Sequence, residues 1–307
     1  MKSSIVIPCY NGARFLPFTF QSLLSQTRPA DEVILVDDGS TDQSAEIAAH
    51  ARPSVTVIRQ KNQGESVARN VGLKAAHGDY VLFLDADDML APESLERLMA
   101  AVQKAPGSIA VMGCVLFTGT LENTLERHTP QMTGFFPGII QTNFGPPHCW
   151  FVPRKMALNL GGFREDLIHS EDWEFWARVA LTEAPLVTVP YEGALYRKHP
   201  QSQVETSPRP EVDRGRLLVC ETLASGILER PQLFERVGEV LFWSLWAMIG
   251  QARRSGVATA KLQNAERLLQ EVARRGPRQL RHSISGMAVR FLGARRAHRL
   301  RDLFVAS

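Results

Sequence analysis

Apolar residues in the first half of the chain come in short continuous runs, each followed by a longer stretch with helical spacing. "SSIVIPCYN" reads as a buried strand and "ARFLPFTFQSLLSQ" as a helix. "DEVILVDDGS" is a second strand, followed by the helix "TDQSAEIAAHAR" with Ser40 or Thr41 as its expected cap. "VTVIRQKN" gives a third strand, "GESVARNVGLKAAHG" a helix and "YVLFLDADD" a fourth strand. Strands apolar on both faces and alternating with helices form a largely parallel sheet covered on both sides. The expected fold class is α/β, with a Rossmann-like, mostly parallel sheet flanked by helices.

The second half changes character. "IAVMGCVLFTGT" is another strand, and "LENTLERHTPQMTGFFPG" a polar excursion read as a hairpin or a mobile loop. "PPHCWFVPRKMALNLGGFRED" leads into the helix "SEDWEFWARVALTEA" and then the strand "APLVTVPYEGALYRKH". The Ser/Pro/Gln-rich "PQSQVETSPRPE" reads as a linker, and the segments after it all carry helical spacing. Two regions are expected: a sheet-based domain over residues 1–210 and a basic helical region over 211–307.

Composition narrows the class. With 44% hydrophobic and 22% charged residues, the 307-residue chain is an ordinary globular protein. Its net charge of +3 hides an asymmetry: residues 211–307 carry 17 Lys/Arg against 9 Asp/Glu, leaving 18 against 23 for residues 1–210. Cys9, Cys114, Cys149 and Cys220 form no CxxC pair, which speaks against zinc and a disulfide framework and for a reducing compartment. The apolar stretch near the N-terminus is too short for a signal peptide. The longest later run, "VLFWSLWAMIG", falls short of the ~20 residues that span a bilayer. A cytoplasmic location is expected.

In parallel sheets ligands bind beyond the carboxyl ends of the strands. Asn11, Asp37–Asp38, Asn62 and Asp85–Asp88 all fall there. In "VLFLDADDML" three carboxylates follow an apolar strand and repel one another unless a cation lies between them. On an extended backbone Asp85 and Asp87 leave one face, a spacing suited to a hard divalent ion, Mg²⁺ or Mn²⁺, shared with a substrate phosphate. A solvated turn before a helix accounts for the same residues.

These pieces together resemble the inverting glycosyltransferases of family 2, which have the nucleotide-sugar-binding GT-A fold. The resemblance covers about residues 3–205 and rests on "SIVIPCYNG", "VILVDDGSTD", "KNQGESVARNVGLKAAHGDYVLFLDADD", "GGFRED…SEDWEFWARV" and "YRKHPQS", in the family's order. It implies a nucleoside-diphosphate-sugar donor, with a uridine diphosphate sugar as the first expectation. It implies a cation on Asp87, with Asp85 near the ribose or the metal's waters and His199 completing the metal or diphosphate site. Asp37 or Asp38 then accepts the imide N–H of a uracil-like base, Asn62 and Arg69 contact base or phosphate, and Pro8, Tyr10 and Asn11 line the base and ribose pocket. Without the resemblance, Asp37–Asp38 is equally a turn-and-cap cluster, and Arg69 a surface partner for Glu65.

Inversion at an anomeric carbon needs a base on the face opposite the leaving group. By the same resemblance this falls on Asp172 in "HSEDWEFW", with Glu171 as alternate and Trp173 offering an apolar face to the sugar; a helix cap is the competing account. Trp176 reads as core. His148, Cys149 and Trp150 are candidates to touch the transferred sugar, and Gly161-Gly162-Phe163 to shape the loop below the acceptor. The absence of a QxxRW element favours transfer of a single sugar over polymerisation; the resemblance implies a hexose, a hydroxyl of a glycan or lipid-linked acceptor, and a role in cell-surface polysaccharide synthesis. Arg290, Arg295, Arg296, Arg299 and Arg301 among Phe291, Leu292, Leu300 and Phe304 suggest peripheral contact with an anionic membrane, on its inner face; a solvated basic face is the alternative, and no nucleic-acid module is present. The competing functions are a nucleotidyltransferase that makes nucleotide sugars, disfavoured because "PCYNGARFLP" is not a Gly-rich, basic phosphate loop, and a non-catalytic nucleotide- or sugar-binding protein.

Overall fold

The structure, a computed structural model, describes residues 1–130, 132, 134–200 and 207–276. It divides into two compact units, Met1–Ser207 and a second beginning at Pro208.

In the first unit the apolar runs form β1 (Ser3–Cys9), β2 (Glu32–Asp37), β3 (Thr56–Arg59) and β4 (Tyr80–Phe83). Between them lie α1 (Leu16–Leu24), α2 (Ser44–Ala49) and α3 (Glu65–Ala75). The four strands are parallel in the order β3-β2-β1-β4, so the order reverses between β1 and β4. A crevice opens beyond the strand ends at such a reversal, and here it falls between the Tyr10 loop and Asp85. Ile5, Val6, Ile7, Leu35, Val36, Val81 and Phe83 are buried, as continuous apolar strands require. Helix α3 can lie close to β1 because Gly72 has no side chain; a Cβ there would stand 2.3 Å from Val6 Cγ1.

The rest of the sheet is mixed. After β5 (Met89–Leu90) and α4 (Ser94–Lys104) come β6 (Ile109–Thr118) and β7 (Thr120–His128), the antiparallel hairpin expected of the polar excursion. The short α5 (Gly138–Gln141) precedes β8 (Trp150–Pro153), which runs antiparallel to both β4 and β6 and joins the two halves of the sheet. After α6 (Arg154–Asn159) and α7 (Glu171–Ala180), β9 (Leu186–Lys198) pairs parallel with β6 and antiparallel with β5. The parallel character is thus confined to the first four strands and the β6–β9 pair.

Two local expectations are corrected. Neither Ser40 nor Thr41 caps α2, which starts after Gln43 without a side-chain cap. Both instead serve Asn11, whose N–H donates to Ser40 Oγ at 2.9 Å and whose Oδ1 accepts the Thr41 N–H at 2.8 Å. The acids after β4 do not lie on an extended strand: Asp88 N–H donates to the Asp85 carbonyl at 3.1 Å, closing a turn. Leu84 is the last residue to bond β1, through Val6. From Asp85 to Asp88 the chain lies outside any ladder, and turning lets the carboxylates of Asp85, Asp87 and Asp88 face three different partners.

The second unit is helical, with α8 (Arg209–Leu228), α9 (Pro231–Arg254) and α10 (Gln263–Arg275). Leu233, Val237, Leu241, Leu245 and Ile249 make the buried stripe of α9, and Leu268 and Val272 that of α10. Among the described residues no helix is long and apolar enough to cross a membrane. The basic stretch around Arg290–Arg301 lies outside the described residues.

Candidate active site

Helix α3 delivers Arg69, 2% exposed, to the crevice. Its Nη2 donates to Glu65 Oε1 and to Asp85 Oδ1, both at 2.7 Å, and its Nη1 donates to Glu171 Oε1 at 2.9 Å. Glu65 is the local i,i+4 partner expected on a helix. Asp85 and Glu171 come from the ends of β4 and the start of α7. Phe163 supports the guanidinium from below, its ring 5.1 Å from the Arg69 Cζ. Phe163 is itself held by Asn70, which exchanges hydrogen bonds with its N–H and carbonyl at 2.7 and 2.8 Å. The Gly161-Gly162-Phe163 stretch therefore buttresses Arg69.

The remaining acids of the turn diverge. Asp87 Oδ2 lies 2.8 Å from His199 Nε2, and this pair is partly exposed. Burial, then the neighbouring Asp85 charge, raises the Asp87 carboxyl. Asp88 is buried; its Oδ1 accepts the Arg197 backbone N–H at 2.7 Å and its Oδ2 lies 3.5 Å from His148 Nδ1. Burial, reinforced by Asp87 and Asp85, pushes the Asp88 carboxyl well above the usual range. Burial lowers His148 to about 4, so the imidazole is neutral. One ligand atom each of Asp85, Asp88 and His148 lie within 4.8 Å of one another, a donor set able to hold a divalent cation. Asp88, which an extended backbone would send to the face opposite Asp85 and Asp87, is thus brought to Asp85 and His148 by the turn.

Asp172 stands beside Glu171 in the first turn of α7. Its Oδ2 accepts Asn143 Nδ2 at 2.6 Å. Desolvation, then the charge of Glu171, pushes its carboxyl up to about 7, against the opposing pull of Arg69. Ser170, left-handed at φ 60°, makes no side-chain cap, so the Ser170–Asp172 group is not a conventional helix cap. Glu171 is committed to Arg69, whereas Asp172 keeps a carboxylate of raised basicity at the crevice.

Across the β1–β3 edge, Asp37 accepts the Ser40 N–H at 3.0 Å and Arg59 Nε at 3.0 Å. Asp38 accepts Gln60 Nε2 and the N–H groups of Gln63 and Gly64 at 2.7–2.9 Å, fixing the loop that carries Asn62. Both aspartates are buried, Asn62 and Asn11 are exposed, Tyr10 is 53% exposed and Pro8 is buried within β1.

Several contacts expected from sequence are not made. His148, Cys149 and Trp150 are 1% exposed or less and cannot face a sugar; His148 turns to Asp88, and Trp150 stacks on Trp176 at 4.8 Å in the core. Trp173 offers little open face, because it is 6% exposed with its indole N–H bonded to the Ile139 carbonyl at 2.9 Å. Conversely, Asn143 escaped sequence reasoning, since it lies in an aperiodic loop with no motif around it. Glu65 was legible only as a helix-surface partner.

Comparison with known proteins agrees with this geometry. The profile described as Glycosyl transferase family 2 matches residues 4–161. EpsJ of Bacillus subtilis, described as an uncharacterized glycosyltransferase, is 32% identical over 233 residues, covering 68% of this chain and 65% of its own. YibD of Escherichia coli, described likewise, is 38% identical over 183 residues, covering 57% and 52%. The chain thus spans about half to two thirds of the length of these relatives. The structure of residues 1–349 of S. aureus TarS in complex with UDP-GlcNAc superposes with a TM-score of 0.69 at 21% identity, covering 100% of this chain and 91% of that one.

Proposed function

We propose that this chain, which belongs to glycosyl transferase family 2 and has the GT-A fold, is an inverting glycosyltransferase. It moves one sugar, a hexose, from a nucleoside diphosphate to a hydroxyl of a glycan or lipid-linked acceptor, with the catalytic domain in residues 1–210. A uridine diphosphate sugar is the first donor to try, since S. aureus TarS was crystallised with UDP-GlcNAc. A cytoplasmic location, at the inner face of the membrane that carries the acceptor, goes with this function.

One observation supports this above all. Arg69 joins Asp85, on the donor side of the crevice, to Glu171, the neighbour of Asp172. The acids of the turn and the candidate base therefore flank one guanidinium.

The donor atoms suit Mg²⁺ or Mn²⁺, being carboxylate oxygens and imidazole nitrogen, and buried His148 Nδ1 and Nε2 and Asp88 Oδ2 have no hydrogen-bond partner among the described residues. Asp87 and His199 are the residues we assign to a cation shared with the diphosphate, because they are partly open, with Asp85 and the Asp88–His148 pair beside them. A cation held there supplies Lewis-acid stabilisation of the charge that develops on the leaving diphosphate.

The protein's own groups do the rest. Asp172, raised to about 7, accepts the proton of the attacking hydroxyl near neutral pH. Asn143 orients the Asp172 carboxylate, and Arg69 holds Glu171 beside it. Asp37 and Asp38 shape the nucleotide end through the Ser40 and Gln60–Gly64 segments, with Tyr10, Asn11 and Asn62 at its rim.

The test is release of nucleoside diphosphate from UDP-, GDP- and dTDP-sugars, with and without Mn²⁺. Turnover that needs the cation and fails in Asp172→Asn is expected. Turnover indifferent to chelation, or release of pyrophosphate instead of nucleoside diphosphate, would overturn the assignment.

A further inference from the structure

The crevice gathers negative charge. Glu65, Asp85 and Glu171 gather on Arg69, Asp87 and Asp88 follow in the same turn and Asp172 stands beside Glu171, so an anionic diphosphate entering the crevice meets the field of those that are ionised. The arginines nearby are already engaged. Arg69 is shared among three carboxylates. Arg59 is bonded to Asp37. Arg197 donates to the carbonyls of Asp87 and Gly119 at 3.0 and 2.8 Å.

Arg14 is different. It lies in the loop after β1, at the strand ends where the crevice opens, and is exposed. Its guanidinium sits 5.3 Å from the Phe15 ring centroid, and the same ring lies 4.6 Å from that of His199 and 5.5 Å from the Arg197 guanidinium. The Arg14 charge is close enough to act on Arg197. Among the described residues Arg14 has no carboxylate partner, and its contact is the ring face of Phe15. A guanidinium resting on an aromatic ring keeps its N–H edge free, and that fork matches phosphate oxygens.

Resting on the donor reading above, we propose that Arg14 binds the donor's diphosphate, contacting the phosphate that becomes the terminal one when the sugar leaves. Phe15 is the shelf that fixes Arg14 relative to His199 and hence to Asp87. The guanidinium thereby offsets charge at the end of the leaving group, where the acids of the turn would otherwise oppose it. A nucleoside monophosphate, lacking that second phosphate, should not feel Arg14.

The experiment is calorimetric titration of the full chain, in Mg²⁺, with UMP and UDP, GMP and GDP, and dTMP and dTDP. The wild-type protein is expected to prefer a diphosphate over its own monophosphate. Arg14→Gln should cut that preference about tenfold, the loss of one charge-assisted hydrogen bond, while leaving monophosphate affinity within about twofold. Arg14→Lys should fall between, and Arg28→Gln, at a half-buried arginine paired with Asp31, should match wild type. Should Arg14→Gln misfold, the Lys variant carries the comparison. An unchanged diphosphate preference in both Arg14 variants overturns the inference and leaves the donor reading standing. Equal weakening of mono- and diphosphate also overturns it, by placing Arg14 elsewhere on the nucleotide or in the fold. A wild-type protein that binds no nucleoside diphosphate at all defeats the donor reading and Arg14's role together.

Discussion

Arg69 and Glu171 are 102 residues apart in sequence, yet their side chains meet at 2.9 Å in a buried ion pair. Together with the 2.7 Å contact to Asp85, this makes one guanidinium the common support of the residues after β4 and the start of α7. A charge so placed is strongly coupled to its partners, and removing it leaves carboxylates facing one another with little water between them.

Arg69→Ala should therefore be costly. Breaking a buried pair by deleting one partner costs about 3–5 kcal/mol, and the partial exposure of Glu65 and Asp85 argues for about 3 kcal/mol here. Urea unfolding measures it, and a loss below about 1 kcal/mol would show that Arg69 is not the keystone of the site.

The rate should follow the ionisation of Asp172. With that carboxyl at about 7, sugar transfer should fall roughly tenfold per pH unit as the pH drops below about 7. Asn143→Ala removes a hydrogen bond that lowers the pKa, so the midpoint of the profile should move upward. A profile flat from pH 5 to 8, or a downward shift in Asn143→Ala, would contradict the assignment.

Stability carries the same signature with a defined sign. Asp172 is raised when folded, so between the ordinary carboxylate range near 3.8 and about 7 the folded state holds a proton that the unfolded chain has released. Its contribution favours folding below that window and is lost as pH rises through it. Asp172→Asn removes this slope, and its stability relative to wild type should be greater at pH 8 than at pH 5. Denaturant melts of both proteins at the two pH values decide the matter.

Asp87→Ala should abolish the dependence of turnover on added Mn²⁺ along with most of the turnover, about 10²-fold or more, as removal of one electrostatic stabiliser does elsewhere. His199→Ala should do the same in milder degree. Metal binding followed by Mn²⁺ paramagnetic resonance supplies a readout independent of activity, and full retention of Mn²⁺ by both variants would move the cation to the Asp85, Asp88 and His148 donors.

Gly72→Ala tests the packing beneath the site. The new Cβ would stand 2.3 Å from Val6 Cγ1, so α3 must shift off β1. Overpacking of this kind costs about 1–3 kcal/mol, and because α3 carries Arg69 the shift should lower activity as well. A variant with wild-type melting temperature and turnover would show that the helix has slack there.

Much of this was visible along the chain because it depends on near neighbours. Continuous apolar runs must be strands buried on both faces, so β1, β2 and β4 and the helices between them could be placed without a structure. The polar clusters at their ends, Asn11, Asp37–Asp38 and Asp85–Asp88, could be assigned to one edge of the sheet for the same reason. The i,i+4 spacing of Glu65 and Arg69 likewise announces their contact.

What only the tertiary structure decided is which distant groups meet. No local rule gives Arg69 its partners in Asp85 and Glu171, sends His148 inward to Asp88, or brings Asn143 from an aperiodic loop to Asp172. The turn at Asp85–Asp88 also escaped local reasoning, since β4 leaves its partner β1 after Phe83 although β1 runs on to Cys9, and that partner lies far back in the sequence. Periodicity is set by the backbone within a few residues, whereas ion pairing is set by loops and packing that bring remote segments together, and burial then fixes how strongly each carboxylate holds its proton.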